Sequence, residues 1–158
     1  MFARQVMDTR FHFLHPKQSV VDAIKLFKTA GEKEGKKIFG MMVLDDDDRL
    51  VGMLSMFDIL LYIQPKHIGI LGEMADLSPE PLFDSLLTRV KKIRVEDLMS
   101  DSLVSVKPDT HLLVVMDTMI KKHVRRLPVV DGNRVIGILY RSDLFNFLMG
   151  KLVEDEEP

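Results

Sequence analysis

The segments "GMLSMFDIL" at residues 52–60 and "GILYRSDLF" at residues 137–145 share one pattern. Each has Gly, two apolar residues, three intervening residues, Asp, and two more apolar residues. Each reads as a strand carrying a glycine that runs into a helix with a carboxylate in its first turn. Gly52 and Gly137 lie 85 positions apart, as do Asp58 and Asp143.

Upstream, the echo continues at a different offset. Met7 pairs with Met99, Pro16 with Pro108, Ile24 with Met116 and Phe27 with Met119, each 92 positions apart. The chain is therefore an internal repeat whose first copy holds seven extra residues, within "TAGEKEGKKIFG" at 29–40. A repeat of this length decides the architecture before any local detail does.

The two copies follow one plan. A short apolar strand ends at His15-Pro16 or Lys107-Pro108, since proline cannot donate to a ladder. A helix follows, capped by Ser19 and carrying Val20, Ile24 and Phe27 in the first copy. In the second, Asp109 or Thr110 caps a helix carrying Leu112, Val115, Met116 and Met119. Two strands around a turn come next, "MMVL-DDDD-RLVGMLS" and "LPVV-DGN-RVIGILY", and Asp-Gly-Asn is a strong hairpin signal. "MFDILLYI" or "RSDLFNFLM" closes each copy. The fold class is α+β, in the order β-α-β-β-α taken twice. Residues 1–63 form the first repeat and 96–150 the second. A connector at 64–95 contains an extra amphipathic helix in "EPLFDSLLTRV", and 151–158 form an acidic tail expected to be frayed and solvated.

Bulk properties exclude several classes. The 158 residues are 46% hydrophobic and 29% charged with a net charge of -2, so nothing pulls the chain toward nucleic acid or anionic membrane. No apolar run approaches the ~18 residues that a membrane span needs. The start "MFARQVMDTR" has no signal-peptide core, which makes cytoplasm the default expectation. With no cysteine there are no disulfides and no thiolate metal sites. The five His are scattered, with His12 and His15 directed to opposite faces of one strand. "GEKEGKK" departs from a phosphate-binding P-loop in spacing and in having Lys37 where Ser or Thr binds magnesium, so a mobile surface loop is expected. Asp45 to Asp48 lack the acidic alternation of a calcium loop and read as a solvated hairpin tip. Met41, Met42, Met53, Met56, Met116 and Met119 read as core filler. No nucleophile stands beside an evident base, so an enzyme is not expected.

The paired motifs carry chemistry of their own. A strand glycine lets a backbone or ligand approach closely. An Asp at the following helix start benefits from the helix N-terminus, and its two oxygens can accept from both hydroxyls of a ribose. Helix capping alone is the alternative use of Asp58 and Asp143, and the two uses are compatible.

Taken together, "VM" and "EDLM" before the first strand, "SVKPDT", "RRLPVVDGNRVIGIL" and the two Gly-to-Asp segments resemble a tandem pair of CBS domains. The resemblance spans nearly everything except the connector and tail. It implies two β-α-β-β-α units packed about a pseudo-twofold axis, with clefts that hold an adenosine compound: AMP, ADP, ATP or S-adenosylmethionine. It also implies that Asp58 and Asp143 hold ribose, with a Ser or Thr three residues earlier. Ser55 matches, whereas Tyr140 replaces that hydroxyl in the second copy. Arg125 and Arg126, just before Leu-Pro, take the position that faces ligand phosphates, and Arg141 adds a further positive charge nearby. The expected function is a stand-alone regulatory sensor of an adenine nucleotide, homodimeric, acting on a protein partner that the sequence does not name. The alternative is a ligand-free homodimerisation module.

Overall fold

The structure is a computed structural model, and it describes residues 1–64 and 80–154. Pro65, Pro79 and the last four residues of the acidic tail lie outside the described residues.

The chain divides into two compact units, and neither is a continuous stretch. One comprises Met1–Phe11, Asp46–Leu50 and the chain from Leu103 onward; the other comprises His12–Asp45 and Val51–Ser102. The first-repeat unit contains helix α1 (Val20–Glu34), strands β1 (Gly40–Leu44) and β2 (Leu50–Ser55), and helices α2 (Met56–Ile63), α3 (Glu80–Val90) and α4 (Val95–Leu98). The second-repeat unit contains a 3-10 turn (Ala3–Gln5), α5 (Leu112–Lys122), β3 (Arg126–Asp131), β4 (Arg134–Tyr140) and α6 (Arg141–Glu154). The expected hairpins and closing helices are all present, and "EPLFDSLLTRV" is α3 over its whole length.

Each hairpin is a two-stranded sheet, β1 with β2 and β3 with β4. The second is antiparallel, from Arg126 opposite Tyr140 to Asp131 opposite Arg134, and Gly132 turns the chain at φ 61°. Single bridges lengthen both sheets. On one edge Leu14 joins Val43 and Val106 joins Val129, both parallel. These positions form no longer strand, and the reason is local. The next residue of each copy to face that edge is Pro16 or Pro108, which has no N–H for the ladder, while the N–H groups of His15 and Lys107 turn away to Gln18 Oε1 and Thr110 Oγ1.

On the other edge the copies exchange segments. Ser100 pairs with Met53 and Asp8 with Ile138, each through two backbone hydrogen bonds of 2.8 and 2.9 Å. The preceding methionine lies over the strand glycine in both cases. A Cβ on Gly52 would stand 2.5 Å from Met99 Sδ and 2.9 Å from its Cγ. One on Gly137 would stand 2.8 Å from Met7 Sδ and 3.0 Å from the Asp8 carbonyl oxygen. The repeated glycines therefore make room for a methionine and for backbone, which explains why "VM" and "LM" recur.

The caps refine the helix expectations. Ser19 accepts from the Asp22 N–H, as expected of an N-cap. The α5 cap is His111, whose Nδ1 accepts from Leu113 N, rather than Asp109 or Thr110. Thr110 is not available, because its hydroxyl already accepts from Lys107 N. The buried face of α1 is Val20, Ala23, Phe27 and Ala30, and Ile24 is turned outward. The insertion is not a simple loop. It extends α1 to 15 residues against 11 in α5, and Gly35 ends the helix in the left-handed region at φ 63°.

Two apolar clusters result. Leu14, Val20, Ala23, Phe27, Val43 and Leu54 anchor the first, and Leu112, Val115, Leu127, Val129 and Leu139 the second. The segments near the exchanged methionines contribute to both, Val95 to the first and Ala3 to the second. Met41, Met42 and Met119 are buried as expected of core filler, Met53 and Met116 are half-buried, and Met56 is exposed.

The Gly52–Met99 contact can be measured by a double-mutant cycle. Gly52→Val should destabilise the protein by about 1–3 kcal/mol in urea unfolding. Combined with Met99→Ala, the loss should fall short of the sum of the single losses by about 1 kcal/mol, because the clash has been removed. Strict additivity would mean that Met99 does not occupy this space.

Candidate functional site

The strand-to-helix junctions place the predicted carboxylates in the first turns of the closing helices. In the first-repeat unit Ser55 is the N-cap of α2 and Asp58 sits at its third position. The Ser55 hydroxyl accepts from Asp58 N at 3.3 Å, while the Ser55 N–H and hydroxyl donate to Asp58 Oδ2 at 2.8 and 3.0 Å. This reciprocal capping box fixes the carboxylate orientation. Both bonds end on Oδ2, and Oδ1 accepts none from the described residues. Capping and ligand binding are thus compatible in geometry: one oxygen serves the fold and the other is left for a donor.

The second-repeat unit gathers the basic residues. Arg126 opens β3 opposite Tyr140 at the end of β4, and Arg141 N donates to the Arg125 carbonyl oxygen at 2.9 Å. Asp143 follows in the first turn of α6. Arg125, Arg126, Tyr140, Arg141 and Asp143 are therefore held at one end of the hairpin, while Ser55 and Asp58 belong to the other unit. At the repeat-equivalent positions the first copy has Gly40 and Met41, so the positive cluster is not duplicated.

Arg126 is half-buried and makes no ion pair with the described residues. Burial lowers its pKa from the ordinary value; Tyr140 opposes that shift and Arg125 adds to it. Arginine nonetheless stays charged in proteins. The fold thus holds a partly desolvated guanidinium beside a second positive charge, an arrangement that an anion would relieve. The planar fork of each guanidinium suits phosphate.

Sequence reasoning assigned the strand glycines to close approach without identifying the approaching group, which is Met7 or Met99. The recurring methionine 92 positions apart was the available signal. Among the described residues no three His, Asp or Glu are arranged to hold a metal ion, and no helix is long and apolar enough to cross a membrane.

Comparison with known proteins agrees with the fold. The CBS domain family model matches residues 3–65 and 95–150. An uncharacterized protein of Methanocaldococcus jannaschii is 34% identical over 143 residues, spanning 82% of this chain and 81% of that protein. The chloroplastic CBS domain-containing protein CBSX2 of Arabidopsis thaliana is 32% identical over 140 residues, and the match covers 84% of this chain but 56% of the relative. The crystal structure of CBSX2 in complex with AMP superposes with a TM-score of 0.70 at 27% identity, covering 96% of this chain and 98% of that one. The chain belongs to the CBS-domain family, and its α+β fold is that of a tandem CBS pair.

The strain at Arg126 gives a prediction. Arg126→Met should raise stability without ligand by about 1 kcal/mol, or about 2–4 °C in unfolding midpoint, because a poorly solvated charge is replaced by an apolar chain of similar length. A lower midpoint would show that the guanidinium is already satisfied within the fold.

Proposed function

We propose that this protein is a regulatory module that senses an adenine nucleotide or related adenosyl compound: AMP, ADP, ATP or S-adenosylmethionine. The observation that carries the reading is the half-buried Arg126, without an ion pair among the described residues, held with Arg125, Tyr140, Arg141 and Asp143 in a CBS pair. CBSX2, a relative with the same fold, has been solved with AMP. In this reading Arg125 and Arg126 meet phosphate, and Arg141 adds to the field that attracts it. Asp143 and Asp58 accept from ribose hydroxyls, and Ser55 orients Asp58 through the capping box. Tyr140 stands where Ser55 stands in the first copy, and its ring narrows the second site, so the two sites per chain differ in strength. The protein carries no catalytic role of its own; it signals to a protein partner. A ligand achieves this only by binding two arrangements with different affinity.

The same reading includes a homodimer. Phe57, Leu60 and Leu61 on α2 are 65%, 52% and 52% exposed, although α2 has only Asp58 as a charged residue. The α3 helix packs on α2 and leaves them uncovered. On α6, Phe145, Leu152 and Val153 are exposed to a similar degree. Two apolar helix stripes are more than a monomeric surface needs. Phe57→Asp combined with Leu61→Asp should convert a dimer to a monomer in light scattering at micromolar concentration. A wild-type monomer would remove this part of the proposal.

Calorimetric titration with AMP, ATP and S-adenosylmethionine tests the ligand. Asp58→Asn keeps an acceptor for Ser55 N, so the fold should survive the loss of charge. Asp58→Asn, Asp143→Asn and Arg126→Ala should each weaken the affected site about 10- to 150-fold, as expected for a charge-assisted hydrogen bond. Tyr140→Thr should tighten the weaker site. If none of the three adenosyl compounds binds the wild type at millimolar concentration, the module is a ligand-free dimerisation unit.

A further inference from the structure

The seven extra residues of the first copy build a groove. The added turn of α1 ends at Gly35, and the chain then folds back across Gly31, where Lys36 N donates to the Gly31 carbonyl oxygen at 3.1 Å. A Cβ on Gly31 would lie 2.7 Å from Lys36 O, so the close crossing depends on glycine. Met56 N then donates to Phe39 O at 2.7 Å, tying the returning chain to the start of α2. Between these parts lies a cavity of ≈ 630 Å³ whose floor is Phe27, Ile38, Phe39, Met56, Ile59 and Leu60. In the second copy α5 is shorter and its C-cap His123 leads within three residues into β3.

The rim is asymmetric in charge. Lys28, Lys36 and Lys37 line it with one acid, Glu32. Lys28 and Lys37 make no ion pair with the described residues. An occupant complementary to both parts has an apolar body and a negative end. The size selects further, because 300–1,000 Å³ is the range of single-ligand pockets, whereas a helix with its side chains is about 10–12 Å across.

We propose that this groove binds a single-chain anionic amphiphile of the long-chain carboxylate class. The tail lies on the Ile38, Phe39 and Met56 floor, and the head meets Lys28 and Lys37. The site lies wholly within the first-repeat unit and uses none of the residues assigned to the adenosyl ligand. An apolar chain supplies affinity by area, and the lysines supply discrimination by sign.

Titration calorimetry with dodecanoate below its micelle concentration tests this. One equivalent should bind per chain, and each methylene removed, through decanoate to octanoate, should weaken binding about fourfold. Dodecyltrimethylammonium should bind at least about tenfold more weakly, since its charge opposes the rim. Phe39→Glu should abolish binding, and Lys28→Glu with Lys37→Glu should reduce it about tenfold, with circular dichroism confirming that both variants fold. Any of the following outcomes overturns the proposal. One is no saturable binding; another is equal binding of the cationic amphiphile, or binding untouched by the groove variants. The last is a wild-type dimer that excludes dodecanoate and dissociates on Phe39→Glu, which would make a second copy of the chain the occupant.

Discussion

A methionine resting on a glycine organises both units of this protein. Met99 covers Gly52 and Met7 covers Gly137, and the residue after each methionine bridges to the residue after each glycine. A Cβ at either glycine would meet methionine atoms, and at Gly137 also backbone, at a distance that ordinary packing does not allow. With glycine there, the incoming segment reaches a strand edge and pairs with it, which covers hydrogen-bonding groups that would otherwise be exposed. The same contact seats Ala3 and Val95 in the two cores, both fully buried. Each small core is therefore completed by a segment from outside its own repeat. Supplementing a small unit from a distant part of the chain adds buried apolar area where a stretch of this length alone has little.

The strand that carries the glycine also delivers the carboxylate. Six positions separate Gly52 from Asp58 and Gly137 from Asp143, enough to leave the sheet and enter the first turn of a helix. Fixing the strand edge thus fixes where the helix begins. In the first copy Ser55 completes the cap and commits one carboxylate oxygen to the fold. In the second, the hairpin register sets Tyr140 against Arg126, and Arg141 follows directly. The two equivalent strand-to-helix junctions thereby acquire different chemistry, one hydroxylic and the other aromatic and cationic.

Asymmetry also enters through the insertion. Extra residues in a repeat can lengthen a loop at little cost. Here they lengthen a helix and then recross it, and Gly31 and Gly35 are needed for two different reasons: close approach at the first and a left-handed backbone at the second. The result is an apolar hollow with a basic rim in the first copy, beside the exposed face of α2.

The repeat, the order of elements, the hairpins and the connector helix were legible in the sequence, because each rests on a local period or on turn chemistry that acts within a few residues. Ser19 as a cap was legible for the same reason. His111 was not, although it stands 92 positions from Ser19, since only the folded turn shows that Lys107 has already claimed the Thr110 hydroxyl. Ile24 fits a helical apolar stripe, yet the tertiary contacts turn the buried face toward Ala23 and Ala30. The sequence identified Asp58, Asp143 and the two arginines before Leu-Pro as candidates from motif position. It could not show that one oxygen of Asp58 is already bonded to Ser55, or that Arg126 is half-buried with no counter-ion among the described residues. Nor could it show which segment would cover each glycine, because Met7 and Gly137 are far apart along the chain. Local chemistry determined the parts of this protein; contacts between distant residues decided how each part is completed, because burial and pairing exist only once those residues meet.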